Sequence, residues 1–157
     1  MKKILSLALT FALLLCPLAS SASASDVPFL WQDADVDLDL SQMSGTVVYA
    51  QIYQILSDYP SYEGKIIRMK GWYDVFQDME TGMVYFSCII PDATACCAQG
   101  IEFVWAGEHT FPDDYPEPGT GVTVTGKLES YIEDEYLYVR LADADVIWET
   151  EAITAAQ

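Results

Sequence analysis

The sequence predicts a mainly β domain: a five-stranded, OB-like Greek-key barrel preceded by one α-helix, with a small β-sandwich as the alternative. Three observations carry that expectation. Five short runs rich in apolar and β-branched residues follow one another between residues 65 and 146. The first run is long and carries Gly71 in its interior, where a mid-strand glycine marks a bulge or sharp bend. A long proline-rich connection separates the third run from the fourth.

The chain opens MKKILSLALTFALLLCPLASSASASD. Lys2 and Lys3, an apolar run from Ile4 to Leu15, and Ala22-Ser23-Ala24 form the pattern of a secretory signal peptide. The expected division is a signal peptide at 1–24, an acidic N-terminal arm at 25–43, an OB-like domain with its leading helix at 44–149, and a C-terminal tail at 150–157. The product is then secreted. A lipoprotein acylated on Cys16 is the alternative, although Leu15 stands where a small residue is wanted. No later run is long and apolar enough to span a bilayer.

In the arm, Asp33, Asp35, Asp37 and Asp39 alternate with apolar residues, a period-two strand signal with one acidic face. The same residues begin like a calcium loop, but Leu38 and Ser44 stand where its glycine and glutamate belong. A solvated arm or edge strand is the reading. Ser44 is placed to cap a helix over Gly45–Ser57. Val48, Ile52, Ile55, Leu56 and Tyr59 form its apolar stripe, and Pro60 ends it. The strands follow at Lys65–Phe76, Met83–Ile90, Ile101–Trp105, Val122–Tyr131 and Tyr136–Val146. The loop at 107–121 holds three prolines and three glycines, so the helix is expected ahead of the first strand, plugging one end of the barrel.

The formal charge is −17, from 24 acidic and 7 basic residues. Such a chain repels phosphate backbones and anionic lipid, which argues against nucleic-acid and membrane-surface partners. Its high apolar and aromatic content argues against disorder. No glycine-rich phosphate loop and no Ser-His-Asp pattern appear. Acids are so abundant that no carboxylate pair is informative.

The segment DATACCAQGIEFVW, with YEGKIIRMKGWY before it and DDYPEPGTGVTVTGKLESYIEDEYLYVRL after it, resembles a family of secreted or lipid-anchored OB-like bacterial proteins. The resemblance runs from about Asp35 to Val146, and its most specific part is Cys96-Cys97-Ala98-Gln99-Gly100-Ile101-Glu102-Phe103. It implies an exported OB-like domain and brings no activity with it. The same region is distantly similar to the soluble subunits of two-component permeases, which implies envelope transport or metal handling.

Cys88, Cys96 and Cys97 leave three readings open. A hairpin between the second and third strands could bring Cys88 near Cys96 or Cys97 for a disulfide, which the compartment permits. Cys88, Cys96, Cys97 and His109 could instead form a Cys₃His zinc site, with Asp92 or Glu102 as substitute ligands. Ordinary buried thiols are the third reading. A thiol-dependent enzyme would need His109 as base and Glu108 or Asp92 to orient it, and no local signature supports that. Trp72, Tyr73, Tyr85 and Trp105 could stack sugars, although core packing explains most of them.

The expected function is a secreted, non-enzymatic OB-like binding module at the cell envelope. Its partner would be an envelope protein, a metal or a sugar. The alternatives are a zinc-binding accessory or sensing protein and, behind it, a thiol-dependent enzyme.

Overall fold

The computed structural model describes residues 29–91 and 97–149. The expected signal peptide, Cys16, Asp92, Cys96 and the C-terminal tail lie outside them. The chain is mainly β, with one α-helix and a six-stranded sheet. Its elements are β1 (Leu38–Asp39), α1 (Gly45–Ser57), β2 (Ile66–Gln77), β3 (Val84–Pro91), β4 (Ala98–Trp105), β5 (Gly121–Glu133) and β6 (Tyr136–Trp148). One strand more than expected is present, the short β1. No helix among the described residues is long and apolar enough to cross a membrane.

The strands pair in the order β1-β2-β3-β4-β6-β5, and β5 pairs back onto β2. Five strands therefore follow one another in a cyclic order, with β1 attached at the side. β2 makes this possible by pairing along its first part with β5 and along its second part with β3. The change occurs at Gly71 and Trp72. Gly71 pairs with Val122, and Trp72 pairs with both Gly121 and Ile89. A Cβ on Gly71 would collide with the Ile89 carbonyl oxygen and lie 2.9 Å from the Cys88 sulfur. The glycine is thus required by close approach of β3.

The alternating aspartates do not make one continuous strand. Asp33–Asp35 form a short 3-10 turn, and only Leu38–Asp39 pair, parallel to β2. Two carboxylates are engaged by other groups: Asp37 accepts from the Ile66 amide at the start of β2 at 2.8 Å, and Asp39 accepts from Ser41, two residues on. A local bond such as that between Ser41 and Asp39 competes with a strand ladder. Leu40 enters the core at 1% exposure, which ties the end of the acidic arm to the sheet.

α1 has the expected bounds, with Ser44 extended at the N-cap, yet the Ser44 side chain makes no capping bond. Val48, Ile52 and Ile55 are buried and face β3 and β4. Leu56 and Tyr53 are exposed, so the buried stripe is narrower than the periodicity suggests. The core beneath it combines Ile67, Met69, Val122, Val124, Leu128 and Leu141 with Tyr73 and Phe103. Each fully buried side chain of this size contributes roughly 1.5–3 kcal/mol.

The connection between β4 and β5 is not a bare loop. Thr110 and Asp114 exchange hydrogen bonds, the Asp114 amide to the Thr110 carbonyl and the Thr110 amide to the Asp114 carboxylate. That turn presents Tyr115, which stacks on Phe86 with ring centroids 4.2 Å apart. Proline content hid this role, because the anchoring residue lies three positions before the loop's last proline-glycine pair, Pro118-Gly119, and carries no helical or strand period.

Candidate functional site

The cysteine and histidine residues do not converge in the described structure. Cys88 lies in β3 with no exposure, its thiol free, and burial pushes the thiol's pKa far up. It opposes Tyr73 on one side and Ile101 on the other. Cys97 is exposed directly before β4. Its neighbour Ala98 pairs with Pro91, three residues along β3 from Cys88, or roughly 10 Å at strand rise. That exceeds the roughly 7 Å reach of an unstrained disulfide. Cys96 lies outside the described residues.

His109 lies beyond the opposite end of β4. Its ring stacks on Trp105 at 3.5 Å between centroids, and its Nε2 is 2.9 Å from the Ala106 carbonyl oxygen. Among the described residues no group of three or more His, Cys, Asp or Glu side chains could hold a metal ion. The candidate base of a thiol enzyme is thus engaged by Trp105, and Cys88 is sealed from any substrate.

The proposed sugar platforms divide. Tyr73 is 1% exposed and forms the hub of an aromatic core with Phe86, Phe103, Tyr115 and Trp148. Its hydroxyl has no hydrogen-bond partner among the described residues, and burial pushes its pKa up to about 12. Trp105 is half-buried against the same cluster. Trp72 is half-buried where β2 changes partners. Trp105 also borders a cleft of about 250 Å³ with Phe86, His109 and Tyr115, and Tyr85 lines a larger groove.

That groove has a volume of about 310 Å³ and crosses the outward face of β3, β4, β5 and β6. Strand register builds it. Phe76 opposes Tyr85, Ser87 opposes Glu102, and Tyr131 opposes Tyr138, each pair on neighbouring strands. Because side chains alternate across a strand, these residues share one face while Ile101 and Phe103 turn inward. The β2–β3 turn supplies Asp78 and the β5–β6 turn supplies Asp134. Phe76 is 65% exposed and Tyr138 43%, so aromatic surface is open to solvent.

Two tyrosines are committed to carboxylates. The Tyr131 hydroxyl donates to Glu102 Oε2 at 2.5 Å, and the Tyr85 hydroxyl donates to Glu133 Oε1 at 2.8 Å. The bond to Glu133 pushes the Tyr85 pKa up to about 12. Burial raises the pKa of Glu102, against the opposing pull of the Tyr131 bond and the Arg140 charge. Asp78 is held below the usual range by the Glu80 amide and by Thr81, so it stays ionised. Tyr131 and Tyr138 stack at 5.5 Å, and the Arg140 guanidinium covers the Tyr131 ring at 4.6 Å.

Of these residues, sequence reasoning reached Tyr85 as a stacking platform and Glu102 as a substitute metal ligand. Phe76, Tyr131, Glu133 and Tyr138 escaped it. Their signal was present as alternation within IEDEYLY and KGWYDVF, but only the register across strands places them together.

A second cleft, of about 440 Å³, borders the N-terminal segment and is lined by Trp31, Arg68, Lys70 and Asp145. Its cations are already paired, Arg68 with Asp33 at 2.8 Å and Lys70 with Glu149 at 2.6 Å. Asp145 accepts the Leu30 and Trp31 amides at 2.9 and 2.8 Å. The chain's own N-terminal segment and Glu149 use these contacts, which leaves the aromatic groove as the stronger candidate.

No protein-family model, no curated protein and no solved structure matches this chain.

Proposed function

We propose that the protein is a secreted, non-enzymatic binding module of the cell envelope, built as an OB-like barrel, with the Phe76–Tyr138 groove as its ligand site. The carrying observation is where the groove lies. The cyclic order β2-β3-β4-β6-β5 supports a five-stranded barrel in which β2 is the first strand. In an OB barrel, ligands lie on the face of the second and third strands, between the first–second and fourth–fifth turns. The corresponding face here is β3–β4. The corresponding turns are those carrying Asp78 and Asp134, and all of these border the groove.

The resemblance of residues 35–146 to exported OB-like proteins supports the same reading of location. The strong negative charge disfavours the nucleic-acid ligands of many OB domains.

The test is amide chemical-shift mapping of the full chain with two probes, a neutral chito-oligosaccharide and a lysine tetrapeptide. A saturable response is expected at Tyr85, Ser87, Glu102 and Tyr131 for at least one probe. The paired variant Phe76→Ala, Tyr138→Ala should abolish it with the melting temperature unchanged, since both side chains are exposed. Saturable shifts confined to another face would overturn the assignment.

A further inference from the structure

We infer that the aromatic groove docks a lysine side chain of a partner protein, an ammonium group seated between the tyrosine rings and the groove's carboxylates. This rests on the groove being the ligand site and names its occupant.

The lining is aromatic first. Phe76, Tyr85, Tyr131 and Tyr138 present ring faces and edges, and such faces attract cations. The molecule already shows the pairing once: Arg140 lies over one ring of the Tyr131–Tyr138 stack. Charge complementarity then selects the occupant. Among the described residues, Asp78, Glu102, Glu133 and Asp134 line the groove, and no lysine or arginine does. The hydroxyl hydrogens of Tyr131 and Tyr85 are spent on Glu102 and Glu133. The lining therefore offers mainly acceptors, and a donor-only cation fits it better than a sugar, which needs donors as well.

At the two tyrosine-bonded carboxylates, geometry favours lysine over arginine. Glu102 gives one oxygen to Tyr131, and Glu133 gives one to Tyr85. A guanidinium fork wants both oxygens of one carboxylate, whereas an ammonium directs three donors to separate acceptors. The surroundings suit a protein carrier of that group. Tyr136, 69% exposed and paired opposite Glu133, extends aromatic surface along the groove side of the β5–β6 hairpin.

The experiment uses the full chain with acetyl-tetralysine amide, its Nε-acetylated counterpart, acetyl-tetraarginine amide and a neutral chito-oligosaccharide, each followed by amide shift mapping. The lysine peptide should shift groove residues saturably, and the Nε-acetylated peptide should not. Tetraarginine should bind at least threefold more weakly. Glu102→Gln and Tyr138→Ala should each weaken the lysine peptide about tenfold or more. Asp113→Asn, on the remote 107–120 loop, should leave it unchanged, which separates groove binding from general attraction to an acidic chain. Equal groove binding by the acetylated peptide, the arginine peptide or the oligosaccharide would overturn the lysine assignment and leave the ligand site standing. Responses that avoid the groove for every probe would overturn both.

Discussion

Tyr131 and Glu102 are joined by a 2.5 Å hydrogen bond from the tyrosine hydroxyl, which holds a half-buried carboxylate on the floor of the aromatic groove. The bond crosses from β5 to β4, strands that are not paired neighbours, so β6 separates them in the sheet.

The first prediction follows from that carboxylate. Burial raises the pKa of Glu102 in the folded chain, so the fold favours its protonated form. The stability this contributes is present at low pH and is lost as pH rises from the ordinary glutamate value, about 4.3, through the raised one. Glu102→Gln removes the titration and keeps an acceptor for Tyr131. Its urea midpoint minus that of the wild type should therefore become more positive between about pH 4 and pH 7. A difference that stays constant across that range would contradict the buried, raised carboxylate.

Gly71 tests the strand crossing. A Cβ there meets the Ile89 carbonyl oxygen, the Ile90 Cδ1 at 2.8 Å and the Cys88 sulfur at 2.9 Å. Alanine has no better place to go, because the closest atom is backbone. Gly71→Ala should cost about 1–3 kcal/mol of unfolding free energy, the usual range for overpacking. Urea denaturation measures it, and a neutral or stabilising result would mean that β2 and β3 do not approach so closely.

Cys88 should be chemically silent in the folded protein. It has no exposure, and burial disfavours its thiolate. Iodoacetamide followed by peptide mass mapping should leave Cys88 unmodified under native conditions and alkylate it fully in denaturant, with no reductant needed. Protection that persisted in denaturant until a reductant was added would reveal a disulfide instead.

The N-terminal segment depends on Asp145. That carboxylate accepts the Leu30 and Trp31 amides, and the Trp31 indole donates to the Asp143 carbonyl at 2.8 Å. Asp145→Ala should speed hydrogen exchange at Leu30 and Trp31 about tenfold, with exchange in β5 and β6 little changed. The global cost should be small, roughly 1 kcal/mol, because these bonds are largely exposed. Unchanged exchange at both amides would show that the segment is held by other contacts.

Local periodicity was enough for the sequence alone to determine the main elements. Helix α1 was legible to its end residues, because Val48, Ile52 and Ile55 recur on one face and Pro60 stops the run. The five long strands were legible because apolar and β-branched residues cluster between turn formers, and Gly71 was legible as a bend. Period alone could not show what pairs with what. The aspartates at 33–39 alternate like a strand, but Asp37 accepts from the Ile66 amide on β2, Asp39 accepts from Ser41, and only two residues pair. Cys88 and His109 read as potential ligands because residue type is visible in a sequence and burial is not. Tertiary structure decided that one is sealed in the core and the other is stacked on Trp105. The groove was the least legible feature. Phe76, Tyr85, Glu102, Tyr131 and Tyr138 come from five strands, and a one-residue slip in any pairing would turn its contribution to the opposite face. Only the assembled register, a sum of long-range packing against a shared core, brings them onto one surface.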